Sequence, residues 1–220
     1  MLNLSENRLC GCGTSFRECD VWQAILEKAF GGIDRVDSQK MLDTLRGELR
    51  TRRTLPLSFT RRGQAILKSR LGSYLDNLER LYHAVQSVTG SQVIVDSSKS
   101  PSYGYALSLI PTIDLYVIHL IRDPRAVAYS FTRKKFDPDG MQQMRVQPPV
   151  KTAGFWLLWN LATERLLHYP GRYVRVNYED FIARPVAITD HIVQFVKAGS
   201  RHLPFVEDHT VELKPNHSIC

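Results

Sequence analysis

A chain of 220 residues, 43% hydrophobic and 23% charged, is long enough to bury a sizeable α/β core, and its composition excludes a disordered or fibrous protein. Its 29 basic and 22 acidic residues leave a net charge of +7, which points to an anionic partner such as a nucleotide, nucleic acid, an acidic glycan or a membrane surface. Four cysteines are too few for a disulfide scaffold, Leu115–Ile121 is too short an apolar run to span a bilayer, and MLNLSENRL has no signal-peptide pattern, so a cytoplasmic location is expected.

The first feature along the chain is ENRLCGCGTSFRECDVW, residues 6–22, with Cys10, Cys12 and Cys19 set among glycines before an apolar helix. Asp20 can cap that helix, and Gln23 can close a capping box. The helix is expected to reach about Ala29 and to end at Gly31-Gly32. A basic, mostly helical stretch follows to about Val88, interrupted near Pro56. Leu67, Leu71, Leu75, Leu78, Leu81, Tyr82 and Val85 recur at helical spacing and predict a buried stripe. Arg46, Arg50, Arg52, Arg53, Arg61, Arg62, Lys68 and Arg70 read as a solvated helical face. The alternative is a nucleic-acid-binding module, against which the aromatic residues are not interleaved with these arginines.

The pattern then changes. Gln92–Val95 (QVIV) predicts a strand, with Ser100 and Pro101 as the cap and first residue of the next helix. Leu115–Ile121 (LYVIHLI) predicts a second strand, and Asp123-Pro124 opens a helix to about Arg133. A loop with Pro138, Gly140, Pro148 and Pro149 precedes a helix over about Thr152–His168. Tyr173–Val176 (YVRV) predicts a third strand, and Pro185 opens a last helix to about Lys197. Continuous apolar strands indicate burial on both faces, and helices between them imply a parallel sheet joined by right-handed crossovers. The expectation is therefore an α/β, three-layer domain over 1–220. It comprises a mostly helical part over 1–90, an α/β part over 91–198 and an irregular tail over 199–220.

In such sheets ligands bind beyond the carboxyl ends of the strands. That rule selects Asp96-Ser97-Ser98-Lys99, Arg122-Asp123-Pro124-Arg125 and Asn177-Tyr178-Glu179-Asp180. In LIRDPRAVAYSFTR, residues 120–133, Arg122 offers a planar fork of donors suited to a phosphate dianion, and Ser130 can add a hydroxyl. Pairing with a carboxylate is the competing role for Arg122. In VDSSKSPSYGY, residues 95–105, Lys99 sits in a strand-to-helix turn where a cation can stabilise charge on a transferring group, with donors from Ser97 and Ser98.

A strand ending in Arg122 with Ser130 on the next helix, DSSK one strand earlier and YED after a later strand resembles the sulfotransferases that use 3′-phosphoadenosine 5′-phosphosulfate (PAPS). The resemblance covers about residues 92–198 and extends loosely to the N-terminal cysteine stretch, which looks like that of bacterial members. It implies a P-loop-NTPase-like topology, PAPS as co-substrate and no metal requirement. Arg122 and Ser130 would hold the 3′-phosphate, Ser98 would add a donor, Tyr178 would lie near the adenine, and Lys99 would be the catalytic residue beside the sulfuryl group. The acceptor would be a small metabolite, a lipid or a glycan, with no nucleic acid partner and no transmembrane segment, and nothing in the residues sets the oligomeric state. Eukaryotic cytosolic members carry a histidine two residues after the lysine, where this chain has Pro101, so that general base is missing. His119, Trp156, Trp159 and Asn160 read as core. The alternative within this resemblance is a non-catalytic nucleotide-binding remnant.

The family also has a phosphate loop after its first strand, resembling G-x-x-R-S-G-[ST]. CGCGTS, residues 10–15, is not expected to be that loop, because Leu4–Leu9 is polar and does not read as a buried strand. The chain is thus expected to begin after the family's first strand and phosphate loop, to stop before its late basic loop, and to turn over little. A zinc knot is not expected either. C-x-C-x6-C lacks paired C-x2-C spacing, and no histidine nearby in sequence supplies a fourth ligand. The expectation is a turn of buried or weakly redox-active thiols.

Overall fold

The computed structural model describes residues 7, 9–134, 136–137, 142–143, 146–198, 203–212 and 216–217. The chain divides into two compact units, Met1–Leu115 with Val211–Cys220, and Tyr116–Thr210.

The first unit is helical. Helix α1, Asp20–Phe30, starts one position earlier than the capping pattern suggests. Cys19 takes the cap position, and the Gln23 side chain donates to the Arg17 carbonyl (2.7 Å) instead of closing a capping box. Gly31 ends the helix with φ 77°, a left-handed conformation that suits glycine. Helix α2, Ser38–Gly47, is capped by Asp37, whose carboxylate accepts from the Lys40 N–H. Helix α3, Thr51–Ser58, runs through Pro56. The expected break falls at Thr60 instead, where the hydroxyl accepts from the Gly63 N–H and opens α4, Arg61–Thr89.

The stripe on α4 is buried as its spacing predicts: Leu67, Leu71, Leu75 and Leu78 are inside, with Leu81, Tyr82 and Val85 half-buried. Leu71 and its neighbours pack with Met41, Leu49 and, from α5 (Pro101–Ser108) and the turn after it, Ala106, Leu107 and Ile110. Fully burying one such leucine contributes about 1.5–3 kcal/mol. The arginines of 46–70 are exposed, and Glu48 pairs with both Arg53 (3.2 Å) and Arg70 (3.7 Å), the arrangement of a solvated charged face.

The strand expected at Gln92–Val95 joins no sheet among the described residues, and Val95 is 85% exposed. β-branched composition favours extended backbone, but a strand exists only where another chain segment supplies the ladder.

The second unit holds the parallel pair. Strand β1, Val117–Ile121, pairs with β4, Tyr173–Asn177, in parallel register from Val117 opposite Tyr173 to Ile121 opposite Asn177. Between them lie α6, Pro124–Thr132, then the short antiparallel strands β2, Phe136–Asp137, and β3, Gln142–Gln143, then α7, Pro149–Leu167. The expected loop positions Pro138 and Gly140 lie outside the described residues. Helices α8, Tyr178–Ala183, and α9, Pro185–Phe195, follow. The chain is thus a mixed α/β protein with a small parallel sheet.

Burial of β1 on both faces is not observed. His119 and Ile121 are covered, whereas Ile118 is 40% and Leu120 51% exposed. Asn160 of α7 bonds the His119 ring, so this helix covers the His119 face, and among the described residues nothing buries the other.

Candidate functional site

The in-register pairing ends β1 and β4 opposite one another, so the residues that follow them emerge side by side. The Arg122 guanidinium lies over the Tyr178 ring, 5.0 Å from its centroid. A cation over an exposed aromatic face gains about 0.5–1 kcal/mol. The backbone at this edge is also held. The Asp123 N–H donates to Glu179 Oε1 (3.0 Å), and the Trp156 indole N–H donates to the Arg122 carbonyl (2.9 Å). Arg122 itself remains exposed.

Asp123 caps α6 and accepts from the Arg125 backbone N–H (2.7 Å) and from its guanidinium (2.7 Å and 3.1 Å). The Arg125 side-chain and backbone hydrogen bonds together hold the Asp123 carboxyl at about 2. A carboxylate therefore already occupies the amino end of α6, complementing the helix dipole. Ser130 lies two turns into α6 and is half-buried.

Ser98 and Lys99 belong to the first unit, in the exposed segment leading into α5. The Ser98 N–H (2.8 Å) and hydroxyl (2.5 Å) both donate to Asp96 Oδ1. The hydroxyls of Tyr82 and Tyr103 donate to Asp96 Oδ2. Desolvation by itself raises the Asp96 carboxyl, but the hydrogen bonds from Ser98, Tyr82 and Tyr103 outweigh it and hold the group below its ordinary value. This network fixes the turn that carries Lys99, and it engages the Ser98 hydroxyl proton within the protein.

His119 is 7% exposed. One ring nitrogen meets the Tyr173 hydroxyl (2.6 Å) and the other the Asn160 side-chain oxygen (2.9 Å). The Nε2–H therefore donates to Asn160 and Nδ1 accepts from Tyr173, an assignment that satisfies a neutral imidazole completely. Burial lowers its pKa, and Asn160 partly opposes this. The core reading of His119 and Asn160 fits. Trp156 differs, since its indole N–H ties α7 to the carboxyl end of β1. Glu179, marked in the sequence only by its place in YED, accepts from the Asp123 N–H across the strand edge.

The cysteine stretch requires a correction. A fourth donor does lie beside it: His217 Nδ1 is 3.2 Å from Cys19 Sγ. Local spacing could not show this because 198 residues separate the two positions.

Residues 33–199 match the Sulfotransferase family. The chain belongs to that family. Carbohydrate sulfotransferase 3 from Homo sapiens is 33% identical over 112 residues, covering 44% of this chain and 23% of the human protein. Carbohydrate sulfotransferase 3 from Mus musculus is 34% identical over 111 residues with the same coverage of each chain. No solved structure matches significantly. The sulfotransferase match takes in Lys99, Arg122, Ser130 and Tyr178, and it leaves out Cys10, Cys12, Cys19 and His217.

Proposed function

We propose that this sulfotransferase takes its sulfuryl group from PAPS and delivers it to a hydroxyl of a glycan, within the family's three-layer, P-loop-like arrangement. The observation that supports the donor is the Arg122–Tyr178 pair at the carboxyl ends of two parallel strands. A guanidinium held against an aromatic face offers a fork for the 3′-phosphate beside a flat surface for the adenine. Ser130 adds a hydroxyl to the phosphate; the family resemblance alone assigns Ser98 to the nucleotide and Lys99 to the sulfuryl group. The glycan acceptor is supported by the names of the relatives, both carbohydrate sulfotransferases.

In the transfer, the acceptor oxygen attacks sulfur while the bond from sulfur to the phosphate oxygen breaks. The bond's electron pair leaves with adenosine 3′,5′-bisphosphate, and the acceptor proton passes to solvent or to a base on the acceptor side. Positioning and electrostatic stabilisation carry such a step, with Lys99 opposing the charge that develops on the leaving group. The test compares Arg122→Ala with the unaltered chain by titration calorimetry. Affinity for adenosine 3′,5′-bisphosphate should fall on the order of 10- to 100-fold, as expected for removing charge-assisted hydrogen bonds, while 5′-AMP binding changes little. Equal losses for both ligands would remove Arg122 from the 3′-phosphate. Labelled sulfate transfer from PAPS to a panel of glycans, lipids and small phenols identifies the acceptor class.

A further inference from the structure

We propose that Cys10, Cys12, Cys19 and His217 form a tetrahedral zinc site that pins the C-terminal segment to the N-terminal turn. All four side chains belong to the first unit, and their donor atoms lie within 4.8 Å of one another. Zinc bonds of about 2.3 Å to sulfur and about 2.0 Å to nitrogen give a tetrahedron with edges of about 3.8 Å between sulfurs and about 3.5 Å between sulfur and nitrogen. Cys12 Sγ and Cys19 Sγ are 3.8 Å apart, and Cys19 Sγ is 3.2 Å from His217 Nδ1. The first distance matches a tetrahedral edge and the second falls about 0.3 Å short of one, so small side-chain shifts would seat one central ion. A set of three thiolates and an imidazole selects zinc over harder cations.

The surrounding backbone holds each ligand in place. The Cys10 N–H donates to the Thr14 carbonyl (2.8 Å), and the Gly13 N–H donates to the Cys10 carbonyl (2.9 Å). Leu9 and Ser15 bridge across the same turn. This loop presents Cys10 and Cys12 together, and it turns through Gly13 at φ 91°, where a side chain is disfavoured. Cys19 is delivered by the single 3-10 turn Phe16–Glu18 that leads into α1. His217 is tethered through its own carbonyl, which accepts from the Trp22 indole N–H (2.9 Å). Such a bond to the backbone of a ligand fixes the direction from which its ring approaches. Cys10 and Cys19 are 3% and 2% exposed, so an ion here would be shielded from water on one side.

Four protein ligands leave no open position, which marks a structural site and not a hydrolytic one. Binding replaces three S–H bonds by three Zn–S bonds and sends three protons to solvent, leaving a site of net charge −1. Closing a loop between positions 198 apart in the chain removes much of the unfolded chain's freedom, so the ion's binding energy becomes folding energy of the first unit. All four ligands lie outside the residues that match the sulfotransferase family, so the clasp is an addition to that region and independent of the donor reading.

The experiment uses the full chain purified with a thiol reductant and without chelator. Elemental analysis should find about one zinc per chain, and X-ray absorption at the zinc edge should report three sulfurs and one nitrogen. Chelation should lower the melting temperature, and added zinc should restore it. Cys19→Ser should abolish stoichiometric binding, and His217→Ala should weaken zinc by on the order of 10-fold or more in competition with a chromophoric chelator. Zinc that stays substoichiometric after reconstitution would overturn the proposal. So would a Cys12–Cys19 disulfide recovered from chain alkylated at lysis. Four sulfurs at the metal edge, or unchanged zinc affinity in His217→Ala, would overturn the assignment of His217. The measurements on the unaltered chain decide the matter even if a variant fails to fold.

Discussion

The Arg122 guanidinium lies over the Tyr178 ring at the end of the parallel pair, its carbon 5.0 Å from the ring centroid. The contact follows from register. Ile121 sits opposite Asn177, so one further step along each strand brings a cation and an aromatic ring to the same edge. Glu179 and Trp156 then hold the backbone of that edge from either side.

The ring face, more than the phenol, is expected to matter. Tyr178→Leu should weaken adenosine 3′,5′-bisphosphate by about 2- to 5-fold beyond any change in Tyr178→Phe, the scale of one exposed cation–ring contact. Calorimetry on both variants checks this. Equal affinities for the leucine and phenylalanine variants would remove the ring from the site.

His119 should make the second unit less stable in mild acid. Burial holds its folded pKa below the ordinary 6.5, so the folded state prefers the neutral ring. The stability this confers is fully present above pH about 6.5 and is lost as pH falls from there through the folded value. Tyr173, Asn160, Glu164 and Arg175 are the groups around the ring; Glu164 favours its charged form and Arg175 disfavours it. Urea unfolding of the unaltered chain should therefore weaken across this window. His119→Gln should start lower near neutrality and show a shallower decline. Parallel declines in the two proteins would show that another group carries the pH dependence.

Gly63→Ala should destabilise the first unit despite the better helix propensity of alanine. A Cβ at this position would lie 2.2 Å from the Leu57 carbonyl oxygen and 2.9 Å from its carbonyl carbon, both backbone atoms that cannot swing aside. Propensity gains about 1 kcal/mol, whereas forcing α3 and α4 apart costs about 2 kcal/mol or more. A drop in thermal midpoint checks the sign, and a rise would show that the turn relaxes.

Thr54→Val should stabilise. Thr54 is fully buried, and among the described residues its hydroxyl has no hydrogen-bond partner. Replacing an unsatisfied hydroxyl by a methyl of similar shape recovers about 1 kcal/mol. Thr54→Ala, which also opens a small void, should gain less or lose. The ranking of the two urea midpoints tests the argument.

Most elements and their ends were legible from residue types and spacing alone. The leucine spacing of α4, the Asp123-Pro124 start of α6, the glycine stop at Gly31 and the strands around Ile118 and Val174 were all legible. Each depends on φ preferences, caps and periodicity within a few residues. The sequence also placed Arg122 and Tyr178 just past their strand ends, where the type and position of Arg122 suggested a phosphate and the family resemblance put Tyr178 near the adenine. Partnership between distant segments was not legible and came from packing. QVIV has strand composition but joins no ladder among the described residues, and LYVIHLI, apolar but for His119, is covered on one face. His217 stands beside Cys19 although nothing local to either residue announces the other. Short-range interactions write their preferences into adjacent residues. A contact between distant segments arises only when the rest of the chain has packed, so no fixed spacing encodes it.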